Sequence, residues 1–413
     1  AEKYPVNLLM SGPAGGVSGA CWVAAHAGFD NFMTFDMGGT STDVALVENG
    51  KARLRRETTV GDITVRASSV DVRTLGAGGG SIAHVPELTG ALRVGPQSAG
   101  ALPGPAAYCK GGELPTVTDA NVVLGYLPDN ALLGGDMIID KEKAEIAVQK
   151  IADAMGLSLK QAAAGIIDIV NENMFGALRL ISVEQGYDPR DFALMGFGGA
   201  GPLHVNALAK LTGSWPVIIP RGPGVLCAYG DATTRMRDEA SRTFIRKFSD
   251  TSVAEVRGLL NELAARAQAT LDAENVPKKE QTVTYQADVR YQGQALRLTI
   301  DFTLDDLLRE GLEGIGERFD VMHEKQNTFR SDASKELLNL RAVVEGDSAF
   351  GTAQGIKKGD TSPEHARLNE RKIYVEGRDQ ITNVYDREKL LAGNQIPGPA
   401  IVMEMDSPAK SAV

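Results

Sequence analysis

A chain of 413 residues is long for one hydrophobic core, and at roughly 100–200 residues per domain it predicts two or three domains. With 43 basic against 53 acidic residues the net charge is −10, which argues against nucleic acid or an anionic membrane as the main partner, although a local basic site could still hold a phosphate. Cys21, Cys109 and Cys227 lie far apart, with no CxxC spacing, the pattern of reduced cytosolic thiols.

No apolar run approaches the ~20 residues of a membrane span, and no signal-peptide pattern is present, so a cytoplasmic location is expected. The chain opens AEKYPVNLLMSGPAGG without an initiator Met and closes on MEMDSPAKSAV. Both ends therefore read as cut from something longer.

In chain order, SGPAGGVSGACWVAAHAG (11–28) predicts a glycine-rich turn followed by a small-residue helix. Residues 32–60 predict a three-stranded meander: the apolar run NFMTFDM, a Gly-Gly turn, DVALVEN, a hairpin at Asn49-Gly50, and KARLRRETTV returning. A second glycine cluster follows in DVRTLGAGGGSIAHV (71–85). The proline- and glycine-rich stretch 95–127 excludes a long helix or central strand and predicts an ordered surface or cleft loop. From Asp140 the apolar spacing is helical, broken at Gly156 and stopped at Gly186 and Pro189. DFALMGFGGAGPLHVNALAKL (191–211) predicts strand, glycine turn, helix, and WPVIIPRGPG a short strand into another turn. Beyond about residue 245 an amphipathic helix, an antiparallel pair turning at Gln292-Gly293, a second helix and the strand LLNLRAVVEG predict a separate α+β domain. The expected division is thus 1–245 and 246–413.

Chemistry concentrates in DMGGTSTD (36–43). A hairpin that only turned would need two residues. Gly38 and Gly39 leave backbone amides open to an anion, Thr40, Ser41 and Thr42 add hydroxyl donors, and Asp36 and Asp43 bracket the turn with carboxylates able to hold Mg²⁺, mostly through water. The competing reading is a polar hairpin turn. No GK[ST] follows, so it is not a Walker A loop. GFGGAGPLH (196–204) lies between strand and helix, where glycines serve a nucleotide or tight packing alike; paired with the first motif it reads as the second wall of one nucleotide cleft. GAGGGS (76–81) reads equally as a hinge or as a loop reaching the γ-phosphate or substrate. Asp119 in TVTDAN is either a helix cap or a site residue. His84 and His204 follow glycine loops; structural roles are expected, with ligand contact open for His204, and the five histidines are too dispersed for a His-rich metal site.

Taken together, SGPAGGVSGA, FDMGGTSTDVALV, TLGAGGGSIA, GPQSAGALPGPAAY, TVTDANVVLGYL and GFGGAGPLHVNALA resemble the hydantoinase A/5-oxoprolinase family. The resemblance runs in order over roughly residues 5–245, and the remainder is similar to that family's C-terminal region more loosely. It implies an α/β actin-like ATPase fold, shared with sugar kinases, here partial and carrying an additional C-terminal α+β domain. Carried over, Asp36, Gly38, Gly39, Thr40, Ser41 and Thr42 would face phosphates and magnesium, with Asp36 the metal residue. Gly78 and Gly79 would join the phosphate region, Gly196, Gly198, Gly199 and Gly201 would face the nucleoside, and Asp36, Asp43 and Asp119 would be catalytic. Two departures stand out. Relatives carry a further DxGGTxTD copy upstream that is not in this sequence, so this stretch alone is expected to be inactive, and Ala107 stands where a cysteine is usual.

The resemblance further implies ATP-dependent hydrolysis of cyclic amides of the hydantoin, 5-oxoproline or lactam type. Mg·ATP would phosphorylate the substrate carbonyl oxygen before ring opening, with a hydantoinase B-like companion subunit in a hetero-oligomer. Two alternatives are a subunit of an ATP-dependent ketone carboxylase (acetone or acetophenone type) and a non-catalytic nucleotide-binding scaffold of the same fold.

Overall fold

The computed structural model describes residues 10–55, 57–60, 62–65, 68–127, 137–347, 355–405 and 407–411. Described residues within 1–232 and 352–413 form one compact unit, and those within 233–351 a second.

The first unit begins with α1 (Ser11–Ala27), which takes in the SGPAGG segment itself, so the turn expected there is helix from Ser11 onward. Strands β1 (Phe32–Met37), β2 (Thr42–Glu48) and β3 (Lys51–Ala52) follow as the expected meander. Its third strand is short. The backbone then leaves the sheet: β4 (Leu54–Arg55) pairs with β7 (Ser69–Val70) and β5 (Thr58–Val60) with β6 (Ile63–Val65), while Arg56 lies outside the described residues. β8 (Val72–Leu75) returns against β2, and β9 (Ser81–His84) pairs with β10 (Arg93–Ser98). The stretch 95–127 holds no long helix, only the end of β10, a 3₁₀ turn at Ala106–Tyr108 and α2 (Val117–Val123).

Helices α3 (Lys141–Met155) and α4 (Leu159–Ile181) match the predicted periodicity, separated by Gly156 in the left-handed region at φ 65°. A capping box between Ser158 and Gln161 fixes the start of α4. Then come β11 (Ala193–Phe197), α5 (Gly201–Thr212), β12 (Val217–Ile218) and α6 (Leu226–Thr233). The main sheet has the order β12-β11-β1-β2-β3, with β8 also on β2; β12, β11 and β1 are parallel and the rest antiparallel. The strand period of two divides its side chains between the faces. Met33, Phe35, Val44 and Leu46 pack with Ile166, Val170 and Met174 of α4 and Val205 and Leu208 of α5. Phe32, Ala45 and Val47 pack on the other face with Val17, Ala20 and Ala24 of α1 and Leu226 of α6.

The second unit is the sheet β13 (Arg237–Lys247), β16 (Lys335–Glu345), β14 (Thr282–Tyr291) and β15 (Leu298–Phe302), in that spatial order, with α7 (Val253–Ala273) and α8 (Leu304–Asn327). Its core joins Leu260 and Leu263 of α7 and Ile315 and Phe319 of α8 to Tyr285, Val289 and Leu340 of the sheet. This is the expected α+β arrangement, but its limits differ from the linear division. Residue 245 falls within β13, and the strands β17 (Arg367–Val375), β18 (Arg378–Asp386), β19 (Ala400–Met403) and β20 (Ala409–Ser411) belong to the first unit. The physical reason is that Ile373, Val384 and Ile401 complete the first hydrophobic core.

Candidate functional site

β1 and β2 are joined by four residues, and the register sets Asp36 directly opposite Asp43. The Gly38 amide donates to the Ser41 carbonyl at 3.0 Å, closing the turn, while Gly39 and Thr40 stand exposed at its tip. Among the described residues the hydroxyls of Thr40 and Ser41 have no hydrogen-bond partner. The Thr42 hydroxyl differs: it is buried and donates to the Ala77 carbonyl at 2.6 Å, so it ties two loops together and does not face phosphate.

The second glycine loop lies on the first, backbone against backbone. Gly79 donates to the Gly38 carbonyl at 3.0 Å and Gly80 to the Gly39 carbonyl at 2.6 Å. A Cβ on Gly78 would sit 2.7 Å from both the Gly39 carbonyl carbon and the Thr40 amide nitrogen. Gly78 and Gly79 therefore brace the turn rather than line an open pocket. A pocket of about 240 Å³ is lined by Ile82, Ser98, Leu102, Pro103 and Leu114.

The third loop abuts the end of β1, at the carboxyl ends of parallel strands where open α/β sheets bind ligands. Ala200 donates to the Met37 carbonyl at 2.9 Å and Gly198 to the Pro223 carbonyl at 2.8 Å. Gly198, at φ +79°, leaves room for Asp36, because a Cβ there would lie 2.4 Å from Asp36 Oδ1. Gly199 is exposed, with open space beside it. Gly196 and Gly201 are buried by packing instead: a Cβ on Gly196 would strike Val205 at 2.6 Å, and Gly201 lies over the Phe35 carbonyl. Of the four glycines expected to face a nucleoside, Gly199 alone stands exposed. Ser407, which the sequence did not single out, donates to the Gly199 carbonyl at 3.1 Å.

Asp119 receives a correction. Fully buried, it closes a capping box with Thr116 and accepts from the amides of Thr116 at 2.9 Å, Ala107 at 2.8 Å and Ala106 at 3.4 Å. Its oxygens are committed to the 106–119 loop, and no catalytic role remains for them. His204 is likewise structural, held between Asn171 Oδ1 at 2.8 Å and Asn121 Nδ2 at 3.3 Å. Burial pushes its pKa down to about 3, so it is neutral.

Burial raises the pKa of Asp36, opposed by a hydrogen bond from Cys227, and also that of Asp43, opposed by the Thr74 hydroxyl. Among the described residues no group of three or more His, Cys, Asp or Glu side chains could hold a metal ion. Two hard carboxylates flanking a phosphate-sized turn nevertheless fit Mg²⁺ arriving with a nucleotide, since that ion keeps several waters and takes one or two protein carboxylates. Cys227 was missed by sequence reasoning. Its thiol lies 3.2 Å from Asp36 Oδ2, and burial together with the neighbouring Asp36 pushes its pKa up to about 12.

The family model described as Hydantoinase/oxoprolinase matches residues 1–240, and the Hydantoinase/oxoprolinase C-terminal domain matches 246–410. The chain is 36% identical to the caprolactamase subunit alpha of Pseudomonas jessenii, over 98% of this chain and 59% of that protein. It is 34% identical to the acetophenone carboxylase gamma subunit of Aromatoleum aromaticum, over 97% of this chain and 57% of the other. A crystal structure of the ATP-dependent caprolactamase from Pseudomonas jessenii superposes with a TM-score of 0.87 at 34% identity, covering 97% of this chain and 59% of that one. The chain thus spans less than two thirds of the length of these relatives. The mixed main sheet with helices on both faces is the actin-like ATPase fold that the motifs implied. No described helix is long and apolar enough to cross a membrane.

Proposed function

The chain belongs to the hydantoinase/oxoprolinase family, and from that premise we propose that it is the ATP-binding part of an enzyme that opens cyclic amides. The observation that carries this reading is the exposed Gly39–Thr40 tip, flanked by Asp36 and Asp43 in register and braced by Gly78–Gly80. Such a turn offers amides and hydroxyls to phosphate oxygens at a fixed position. The loop at Gly198–Gly199 forms the second wall, for the nucleoside.

A lactam carbonyl is a poor electrophile. Attack of its oxygen on the γ-phosphorus of ATP forms one P–O bond as the bond to the β-phosphate oxygen breaks and ADP leaves. The activated carbon then accepts a first water, and the ring C–N bond breaks with a proton passing to the leaving nitrogen, which leaves an acyl phosphate; a second water hydrolyses that acyl phosphate to the carboxylate and inorganic phosphate. This chain's residues act by positioning: the turn orients the phosphates, Asp36 and Asp43 orient the metal, and the braced loops keep the arrangement from collapsing. Mg²⁺, when bound with the nucleotide, neutralises charge developing on the phosphate oxygens. A companion subunit of the hydantoinase B type is proposed to deliver the water, consistent with relatives named as subunits.

Similarity to the acetophenone carboxylase gamma subunit favours one second reading, in which a ketone is activated in the same way and then carboxylated. The deciding experiment uses the complete assembled enzyme and measures ADP release with a lactam, 5-oxoproline, a hydantoin or a ketone, with and without bicarbonate. Release dependent on a cyclic amide and indifferent to bicarbonate is expected; bicarbonate dependence supports the carboxylase, and binding of nucleotide with no ADP release for any acceptor leaves a non-catalytic nucleotide-binding scaffold. Asp36→Ala should abolish that turnover with little loss of fold. Unchanged turnover refutes the site.

A further inference from the structure

Two features of the sequence remain without a role in this scheme: the SGPAGG segment and Cys227. The structure joins them. SGPAGG is the first part of α1, and it packs against α6 with almost no space between backbones. A Cβ on Gly15 would lie 2.8 Å from the Cys227 carbonyl oxygen, one on Gly19 2.8 Å from the Leu226 carbonyl oxygen, and one on Gly230 only 1.8 Å from the Gly15 carbonyl oxygen. Contacts this close fix α6 along its length relative to α1.

Cys227 is the second residue of α6. Its sulfur occupies a slot beside Gly16, where a Cβ would come within 3.0 Å of both Cys227 Sγ and Phe197 Cε2. From that slot the thiol reaches Asp36 Oδ2 at 3.2 Å. An ionised carboxylate only accepts, so the thiol is the donor. The other oxygen, Oδ1, lies over Gly198. A carboxylate rotates freely about its terminal bond unless something holds it. Here one oxygen is tethered by sulfur and the other lies against backbone.

We infer that Cys227 is a positioning residue for Asp36: its thiol, seated by the α1–α6 contact, sets the rotation of the carboxylate that meets the metal of the bound nucleotide. The inference rests on the nucleotide-site reading above. It assigns the SGPAGG segment to holding this hydrogen bond rather than to binding phosphate.

Cys227→Ala and Cys227→Ser have closely similar volumes and both lose the sulfur, but only serine keeps a donor. The test is calorimetric titration of the complete assembled enzyme with ADP, in Mg²⁺ and in EDTA, beside the thermal midpoint of each variant. Losing one hydrogen bond to a charged group predicts about tenfold weaker ADP binding in Mg²⁺ for Cys227→Ala. Cys227→Ser should stay within about threefold of wild type, and the difference between the variants should vanish in EDTA. Equal affinity of Cys227→Ala and wild type overturns the positioning role and leaves the nucleotide site standing. An equal loss in Cys227→Ser, or a difference that persists in EDTA, also overturns it, because sulfur would then be filling space. If the wild-type enzyme itself binds no ADP, the nucleotide reading falls and this one with it.

Discussion

Replacing Gly78 by alanine tests the paired glycine loops most directly. The new Cβ would sit 2.7 Å from the Gly39 carbonyl carbon, 2.7 Å from the Thr40 amide nitrogen and 2.8 Å from the Gly39 oxygen, about 0.8 Å inside the ~3.5 Å at which carbon pairs rest. All three neighbours are backbone, so no side-chain rotation relieves the overlap. Moving the loops apart by that distance stretches the 3.0 Å bond from Gly79 to the Gly38 carbonyl past bonding range. Overpacking costs ~1–3 kcal/mol and a lost backbone bond about 1 kcal/mol, so a destabilisation of ~2–4 kcal/mol is expected. Gly39→Ala is the control, because nothing lies within 4 Å of a Cβ there; stability should hold within ~0.5 kcal/mol while the methyl group obstructs the exposed tip. Both tryptophans, Trp22 and Trp215, belong to the first unit, so their fluorescence during urea unfolding follows that unit alone. Both variants should bind Mg·ADP about tenfold or more weakly, and only Gly78→Ala should unfold early. A Gly78→Ala protein as stable as wild type refutes the loop stacking, and normal ADP binding by Gly39→Ala refutes the tip as the phosphate cradle.

Asp119→Ala removes a capping box and leaves the Ala107 and Thr116 amides without their acceptor inside the protein, so it should cost ~3 kcal/mol or more with ADP affinity of the folded protein unchanged. A fully stable variant that had lost turnover would return Asp119 to the chemistry. His204 gives a pH prediction: its folded pKa of about 3 lies below the ordinary 6.5 of an exposed imidazole, so the unfolded chain takes up a proton that the native pocket refuses. The stability it contributes is complete above pH 6.5 and falls by ~1.4 kcal/mol per unit below it, down toward pH 3. His204→Gln should flatten that slope in urea titrations at pH 6.5, 5.5 and 4.5, and an unaltered slope would place the effect elsewhere.

Periodicity and turn chemistry made most elements legible. The 3.6-residue spacing after Asp140 became α3 and α4, divided at Gly156, and the alternation around Gln292-Gly293 became β14 and β15. The DMGGTSTD turn was legible because its polar side chains exceed what turning needs. Burial and partnership were not legible. Thr42, Gly196 and Gly201 share the composition of their loops but serve packing, and the choice for Asp119 between helix cap and site residue stayed open until its amide donors were visible. The return of residues 367–411 to the first core was hidden for the same reason, since nothing local marks which sheet will bury Ile373 or Ile401.

The contacts that a linear reading missed share one physical feature. Cys227 meets Asp36 across 191 residues of chain, and Ser407 meets Gly199 across 208. Neither partner has an unusual neighbourhood in sequence; a cysteine after Val-Leu and a serine before proline are ordinary. Their placement follows from helix and strand packing around a sheet whose strand ends supply the carboxylate and the glycine turn. Short motifs mark where a ligand can approach backbone, because that demand is local. The groups that orient those motifs answer to tertiary geometry, and a substitution in one of them should change ligand affinity while the motif stays intact. Cys227→Ala therefore separates the two kinds of residue: a turn with every DMGGTSTD residue in place should still lose metal-dependent affinity once its distant donor is gone.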